Sequence, residues 1–282
     1  MIYEVTYMSG AGNTFSVLSE TALAGRKLTA EVVRHLCSAG EKTEGLLAIG
    51  LGNGTTDFSA RFFNPDGSCG MMCGNGGRCA VAYAESIGII GREGVISFDL
   101  SGTVYRAQFT ERGVLLAFPP ARGAKQMKLQ TEYGPISGTF VDVGSDHFVV
   151  DFAKLMKNIN PEKLETPTTF ELSDPQILVQ KLRNPDFDFI DFARALRHHE
   201  AFAPRGTNVN LFAEAGDCKL ELRTFERGVE AETGACGTGA ISPALSYGAL
   251  AREVRIVPPS RDPLFVTVLT GEILLEGSAY AT

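Results

Sequence analysis

No run of apolar residues in this chain approaches the ~18 needed to cross a bilayer, so a helical membrane span is not expected. No block of lysine and arginine offsets a formal net charge of −7, which argues against nucleic acid as a partner. The opening Met1-Ile2-Tyr3-Glu4-Val5-Thr6-Tyr7 alternates like a strand and has no basic-then-apolar leader, so a cytoplasmic location is the expectation. There is no low-complexity tract and no tandem short repeat. Six cysteines occur, at 37, 69, 73, 79, 218 and 236, yet none stands in a C-x-x-C pair. The spacing of Cys69, Cys73 and Cys79 matches no zinc or iron–sulfur pattern, so no metal is predicted. In a reducing compartment all six are expected as thiols. Cys37, Cys79 and Cys218 read as small apolar residues of helices and a strand.

What is present is enough apolar material, 44% of 282 residues, for one large or two medium domains. Alternation predicts strands at 2–8, 46–50, 57–63, 95–100, 103–109 and 114–118. Helices are predicted over 29–39, with Thr29 as N-cap, and over 74–87. The second half repeats the theme. Strands are predicted at 139–143, 148–151, 208–213 and 219–225, a helix follows Cys236, and strands follow it at 254–257, 264–269 and 272–276. The pattern predicts two similar lobes with a site between them. The first spans 1–118 and is completed by about 270–282; the second spans 119–269. Residues 152–188, with four X-Pro pairs, read as an insertion with one short helix at 175–182 that covers the site or decorates a surface. A helix near 189–199 rejoins the lobe. Pro243, inside the helix after Cys236, predicts either a later helix start or a kink.

The most informative feature is a pair of matching segments, Cys73-Gly74-Asn75-Gly76-Gly77 and Cys236-Gly237-Thr238-Gly239-Ala240, one in each half. Each opens an alanine-rich helical stretch. A thiol at a helix N-terminus meets unpaired N–H groups and the positive end of the dipole, which favours its thiolate. The glycines after it let a small anion approach the backbone. Two such sites suit two facing thiols with a carboxylate between them, one removing a proton from a carbon and the other returning one to its opposite face. Without a cofactor such chemistry depends on a close base and on N–H groups that stabilise the developing carbanion. The backbone of Gly74-Asn75 and Gly237-Thr238 supplies those groups.

In context these segments resemble the diaminopimelate epimerase family, whose members racemise an amino-acid centre without pyridoxal. Asn64-Pro65-Asp66-Gly67 precedes the first cysteine, and Glu226-Arg227-Gly228 precedes the second. Gly10-Ala11-Gly12-Asn13-Thr14-Phe15, Gly144-Ser145-Asp146-His147 and Gly206-Thr207-Asn208-Val209-Asn210 resemble further family segments, in order, over nearly the whole chain outside 152–188. The resemblance implies an α+β fold of two pseudo-symmetric lobes. Each would be a mostly antiparallel, barrel-like sheet around a central helix, with the active site in the cleft. It implies an isomerase that interconverts LL- and meso-diaminopimelate in lysine and peptidoglycan precursor biosynthesis, with no cofactor and as a homodimer. It assigns Cys73 and Cys236 as proton donor and acceptor, and His147 and Glu226 as residues that adjust the thiols. Asn13, Asn64, Asn208, Glu226 and Arg227 would hold the substrate, Glu226 at its amino group and Arg227 at its distal carboxylate.

Other readings of the same residues stay open at this level. His147 alone reads as a surface or satisfied core histidine, each asparagine as a turn residue, and Glu226-Arg227 as a surface ion pair. His35, His198 and His199 read as surface. Ser145-Asp146 stands where the family has Asn-Pro, which bears on the distal end of the substrate. The stretch from Arg227 to Cys236 is one residue longer than the commonest spacing. The nearest rival is a racemase of another amino acid, proline racemase-like, with the same two thiols. More distant are a non-catalytic amino-acid-binding protein and an NAD-dependent oxidoreductase. The last is hinted at by Gly10-Ala11-Gly12 after a strand, although Phe15 stands where that loop needs a third small residue. If the two thiols face one another, air oxidation should join Cys73 to Cys236 and abolish activity. Peptide mass spectrometry of an air-inactivated sample should then find that disulfide; finding both thiols free would contradict it.

Overall fold

The computed structural model describes residues 3–40, 42–70, 73–158, 174–184, 187–248 and 250–282. The chain divides into two compact units, Met1–Phe118 with Leu274–Thr282, and Pro119–Ile273. Both are α+β and built mostly of antiparallel strands. No helix among the described residues is long and apolar enough to cross a membrane.

The first unit runs β1 (Thr6–Gly10), β2 (Asn13–Ser19), α1 (Ala30–Ser38), β3 (Leu46–Leu51), β4 (Phe58–Phe63), α2 (Gly74–Ser86), β5 (Ile96–Leu100), β6 (Thr103–Thr110) and β7 (Gly113–Phe118). Neighbours pair in this order, antiparallel for β1–β2, β3–β4, β5–β6 and β6–β7, and parallel for β2–β3 and β4–β5. The two parallel steps need crossovers, which α1 and α2 provide. Thr29 caps α1, its hydroxyl accepting from Val32 N, as the sequence predicts. The ladder is bounded on both sides by one C-terminal segment. Tyr280–Ala281 pairs with β1, and Ile273–Gly277 pairs with β7. α2 lies within this wrap, touching β1, β2, β3, β4 and β7, and it is buried on nearly every side. Its run of glycine and alanine follows from that, since strands on all sides leave little room for larger side chains.

The second unit runs β8 (Gly123–Thr131), β9 (Gly134–Asp142), β10 (Asp146–Asp151), α3 (Phe152–Asn158), α4 (Pro175–Leu182), α5 (Phe189–Arg197), β11 (Asn208–Gly216), β12 (Lys219–Glu226), β13 (Ala231–Glu232), α6 (Gly237–Tyr247), β14 (Glu253–Val257) and β15 (Leu264–Val268). From β9 onward the pairing repeats that of the first unit. β9–β10 is antiparallel, β10–β11 parallel, β11–β12 antiparallel, β12–β14 parallel and β14–β15 antiparallel. The helices α3–α5 take the connection that α1 fills in the first unit, and α6 takes that of α2. Cys73 and Cys236 therefore stand at the same topological position, each one residue before a central helix.

Three expectations change. The stretch read as an insertion with one helix contains two described helices, α3 and α4, with residues 159–173 and 185–186 outside the described set. Neither helix is surface decoration. Phe152, Leu155, Leu178, Val179 and Leu182 join Phe189, Phe192, Leu196, Phe148, Leu211 and Phe225 in one apolar cluster. Gly10-Ala11-Gly12 is not a strand-to-helix phosphate loop. Ala11 (φ 55°) and Gly12 (φ 90°) form a two-residue hairpin turn, with Gly10 paired to Asn13, so no helix N-terminus follows to meet a dinucleotide. Cys218 does not open a strand as an apolar residue. It sits partly exposed at positive φ in the turn between β11 and β12.

Candidate active site

Each of the two cysteines is the N-cap of its helix through sulfur. Cys73 Sγ accepts from Gly76 N at 3.5 Å, and Cys236 Sγ accepts from Gly239 N at 3.3 Å. Both have extended backbone, the geometry that Ser, Thr or Asp adopts at a cap. A cap places its side chain over the first turn, where the N–H groups have no partner inside the helix. Each sulfur is thus held beside the amides of its own first turn, Gly74-Asn75 in one unit and Gly237-Thr238 in the other. The remaining cysteines differ. Cys79, inside α2, has its thiol pushed up to about 12 by burial, and burial likewise raises Cys37. Both are inert core residues, as the sequence predicts, whereas Cys73 and Cys236 are partly exposed.

In the first unit, Arg78 is fully buried in α2. Its guanidinium donates to Asn75 Oδ1 at 2.8 Å, Gly74 O at 3.2 Å and Ser278 O at 3.3 Å. It binds the first turn of α2 to the C-terminal segment. Ser278 Oγ in turn accepts from Ala11 N, fixing the hairpin that leads into Asn13. Asn13 is buried at the start of β2 and donates to Glu44 Oε2. Asn64 closes a short turn, its amide donating to Ser68 Oγ at 2.9 Å. The signal for Arg78 in the sequence is an arginine within the run of small residues that follows Cys73.

In the second unit, Glu226 ends β12 with its carboxylate against Cys236. Burial raises the Glu226 carboxyl, and hydrogen bonds from Cys236 and Thr233 oppose that shift. The Thr233 hydroxyl is buried and faces this carboxylate outside strict hydrogen-bond geometry. Cys236 is raised well above the ordinary thiol value, first by desolvation and then by the negative charge of Glu226. With this carboxylate alone beside it, Cys236 is a thiol, its proton directed at Glu226. No ion pair joins Glu226 to Arg227. Arg227 Nη1 instead meets Asp146 Oδ2 at 3.2 Å, and the same carboxylate meets Arg205 at 3.3 Å. Asn208 braces this corner, accepting from Arg227 N at 2.8 Å and donating to Asp146 O at 2.8 Å.

His147 lies on β10, fully buried, and its pKa is depressed to about 4. Burial is the main cause, and the Asn210 hydrogen bond opposes it. The ring makes three polar contacts. Nδ1 is 2.7 Å from Asn210 Oδ1, and Nε2 is 2.8 Å from Ser145 Oγ and 3.1 Å from Thr238 Oγ1. Thr238 Oγ1 is also 3.6 Å from Cys236 Sγ, so His147 reaches this thiol through a hydroxyl. Ser145, read as a change at the distal end of a substrate, is turned toward the histidine. Asn210 was quoted in the sequence but given no role. The signal was the pair Asn208 and Asn210, two apart on one face of a strand whose intervening residues are Val209 and Leu211. His35 and His198 are exposed, and His199 bonds Gln130 O.

α6 begins at Gly237 and continues through Pro243, so the later start does not occur. The proline cannot donate to the carbonyl four residues back, that of Gly239. Asn210 Nδ2 takes that acceptor at 3.0 Å.

The fold resembles those of several solved structures. A PhzF-family phenazine biosynthesis protein from Enterococcus faecalis aligns with a TM-score of 0.65 at 15% identity, covering 100% of this chain and 97% of that one. A probable proline racemase from Agrobacterium radiobacter aligns at 0.61 and 14% identity, covering 99% and 90%. At such identities the likeness concerns the fold alone. No protein-family model matches the chain. Curated relatives are nearer. The diaminopimelate epimerase of Aquifex aeolicus is 33% identical over 97% of this chain and 93% of its own length. That of Chlorobaculum tepidum is 33% identical over 97% of both. The chain belongs to the diaminopimelate epimerase family.

Two predictions follow from the caps and the buried ring. A Cβ on Gly239 would lie 2.8 Å from Cys236 Cβ and 3.0 Å from both Cys236 Sγ and Asn210 Nδ2, whereas one on Gly76 meets nothing closer than 3.6 Å. Gly76→Ala should therefore keep or raise the urea midpoint, by up to about 0.5–1 kcal/mol of helix propensity. Gly239→Ala should lower it. The second concerns acid. Below pH 6.5 an unfolded histidine binds a proton that folded His147 refuses until about pH 4. Stability from this residue is present above pH 6.5 and lost as pH falls toward 4, by about 3 kcal/mol in all. His147→Gln should flatten the dependence of stability on pH across that window in denaturant titrations.

Proposed function

We propose that this protein interconverts LL- and meso-diaminopimelate by proton transfer between Cys73 and Cys236 at one α-carbon, without a cofactor. The observation that carries the reading is the matched pair of sulfur-capped helices at equivalent positions of two repeated units, in a chain of this family. The first-turn amides of α2 and α6 would receive the α-carboxylate and stabilise charge that moves onto it as the Cα–H breaks. Cys236, held as a thiol by Glu226, is the acid in the direction that starts with Cys73 as thiolate. The return direction exchanges the roles, and the two thiols titrate as a pair. Asn13 and Asn64, both of the first unit, would add polar contacts to the substrate.

The distal end of the substrate would meet the Arg227–Asp146–Arg205 cluster. Two guanidiniums share one carboxylate there, which leaves one positive charge for the distal carboxylate. Asp146 is then placed to hold the distal ammonium. We also take the enzyme to be a cytoplasmic homodimer of the lysine and peptidoglycan precursor pathway, where a reducing milieu keeps both thiols free.

The test is proton NMR of the reduced enzyme in D₂O with LL-diaminopimelate. Deuterium should enter at one α-carbon as the meso isomer forms. Cys73→Ser and Cys236→Ser should each lower kcat by about 10²–10⁴-fold, because a serine hydroxyl is a far weaker acid. Near-normal turnover in either variant would eliminate the two-thiol mechanism. Exchange with another amino acid but not with this one would move the substrate assignment elsewhere.

A further inference from the structure

We propose that Asn210, oriented by the Gly239 carbonyl that Pro243 leaves without a helical donor, fixes His147 in its Nδ1–H tautomer and makes it a standing hydrogen-bond acceptor rather than a base. The polarity of the chain of contacts forces this. A carbonyl oxygen only accepts, so the amide nitrogen of Asn210 must face Gly239 O, as the 3.0 Å contact has it. The same nitrogen donates to Thr224 Oγ1 at 2.9 Å. Asn210 Oδ1 is thereby turned to His147. That oxygen also only accepts, so Nδ1, at 2.7 Å, must carry the hydrogen. In the neutral ring Nε2 then holds a lone pair. Thr224, Asn210, Gly239 and the His147 ring are buried, so water does not compete on the Nδ1 side; Thr238 and Ser145 on the Nε2 side are partly exposed.

The charged groups around the ring come from three elements. Asp142 and Asp146, from β9 and β10, favour the imidazolium, and Arg227 after β12 opposes it, as burial does more strongly. The ring therefore stays neutral while Cys236 changes charge. Two hydroxyls share the one Nε2 lone pair. When Cys236 is a thiol, its S–H faces Glu226 and Thr238 donates to His147. When Cys236 is a thiolate, Thr238 turns its proton to the sulfur, and Ser145 takes its place at Nε2. No proton leaves any of the three residues; only hydroxyl torsions change. Asn210 is a positioning residue in this scheme, since it acts on the sulfur only through His147 and Thr238.

This inference rests on the reading of Cys236 as a reacting thiol, but its test needs no substrate, so its failure is separable from failure to epimerise diaminopimelate. Reduced enzyme labelled with ¹⁵N in its histidine rings would be examined by long-range ¹H–¹⁵N correlation. There are four histidines, and His147 is assigned by its loss in His147→Gln. The expected result is an Nδ1–H ring that does not titrate between pH 5 and 8. An Nε2–H ring, or an imidazolium within that range, would overturn the proposal. Asn210→Leu removes the oxygen that the Nδ1–H meets, so a mixture of His147 tautomers and a several-fold lower kcat at unchanged KM are expected. A pure Nδ1–H signal with unaltered kcat in that variant would overturn the role given to Asn210.

Discussion

A backbone N–H donating to sulfur at the head of a buried helix is the contact on which the rest of this molecule turns. It occurs twice, at Gly76 N to Cys73 and at Gly239 N to Cys236. An oxygen cap would serve helix stability as well or better. Sulfur in that position brings an acid that can ionise, fixed beside a turn of unsatisfied amides. The surrounding architecture follows from keeping those helices in place. Strands enclose α2 on nearly all sides, so most of its residues are small, and its direction is set by contacts with five strands.

The two units repeat one topology but support their caps with opposite charges. Under α2 lies the buried guanidinium of Arg78, tied to the first turn. Against Cys236 lies the carboxylate of Glu226. Behind the second cap is a polar layer of Asn210, His147 and Thr238 that carries no net charge. A repeated fold thus carries a buried cation in the first turns of one helix and a carboxylate against the cap of the other.

Much of this was readable from residue patterns because most strands alternate and both caps sit in distinctive glycine-rich segments. The strands not foreseen had reasons to be obscure. β2 opens with Asn13-Thr14 inside a segment read as a loop motif, and its pairing to β1 through a two-residue turn is a tertiary fact. β8 is almost wholly exposed, with Leu129 its one buried residue, so it has no apolar rhythm and is held by backbone bonds to β9. α3 was hidden by the proline-rich stretch beyond it. At the site, the two cysteines stood out by type and spacing, whereas Glu226 was named only through the family resemblance and otherwise read as a surface ion pair. The partnership of Arg227 with Asp146, and of Ser145 with His147, depends on which way side chains turn, and spacing carries no record of that.

The segment Ile273–Ala281 joins both edges of the sheet that begins with β1. Its Ser278 also holds the Arg78 guanidinium and the hairpin before Asn13. During synthesis, therefore, the unit that emerges first from the ribosome is the one completed last. The second unit has all of its strands before that segment is made. Until then the first offers two open sheet edges and an unbraced central helix, which makes it the part of the nascent chain most exposed to wrong pairing and to chaperone capture.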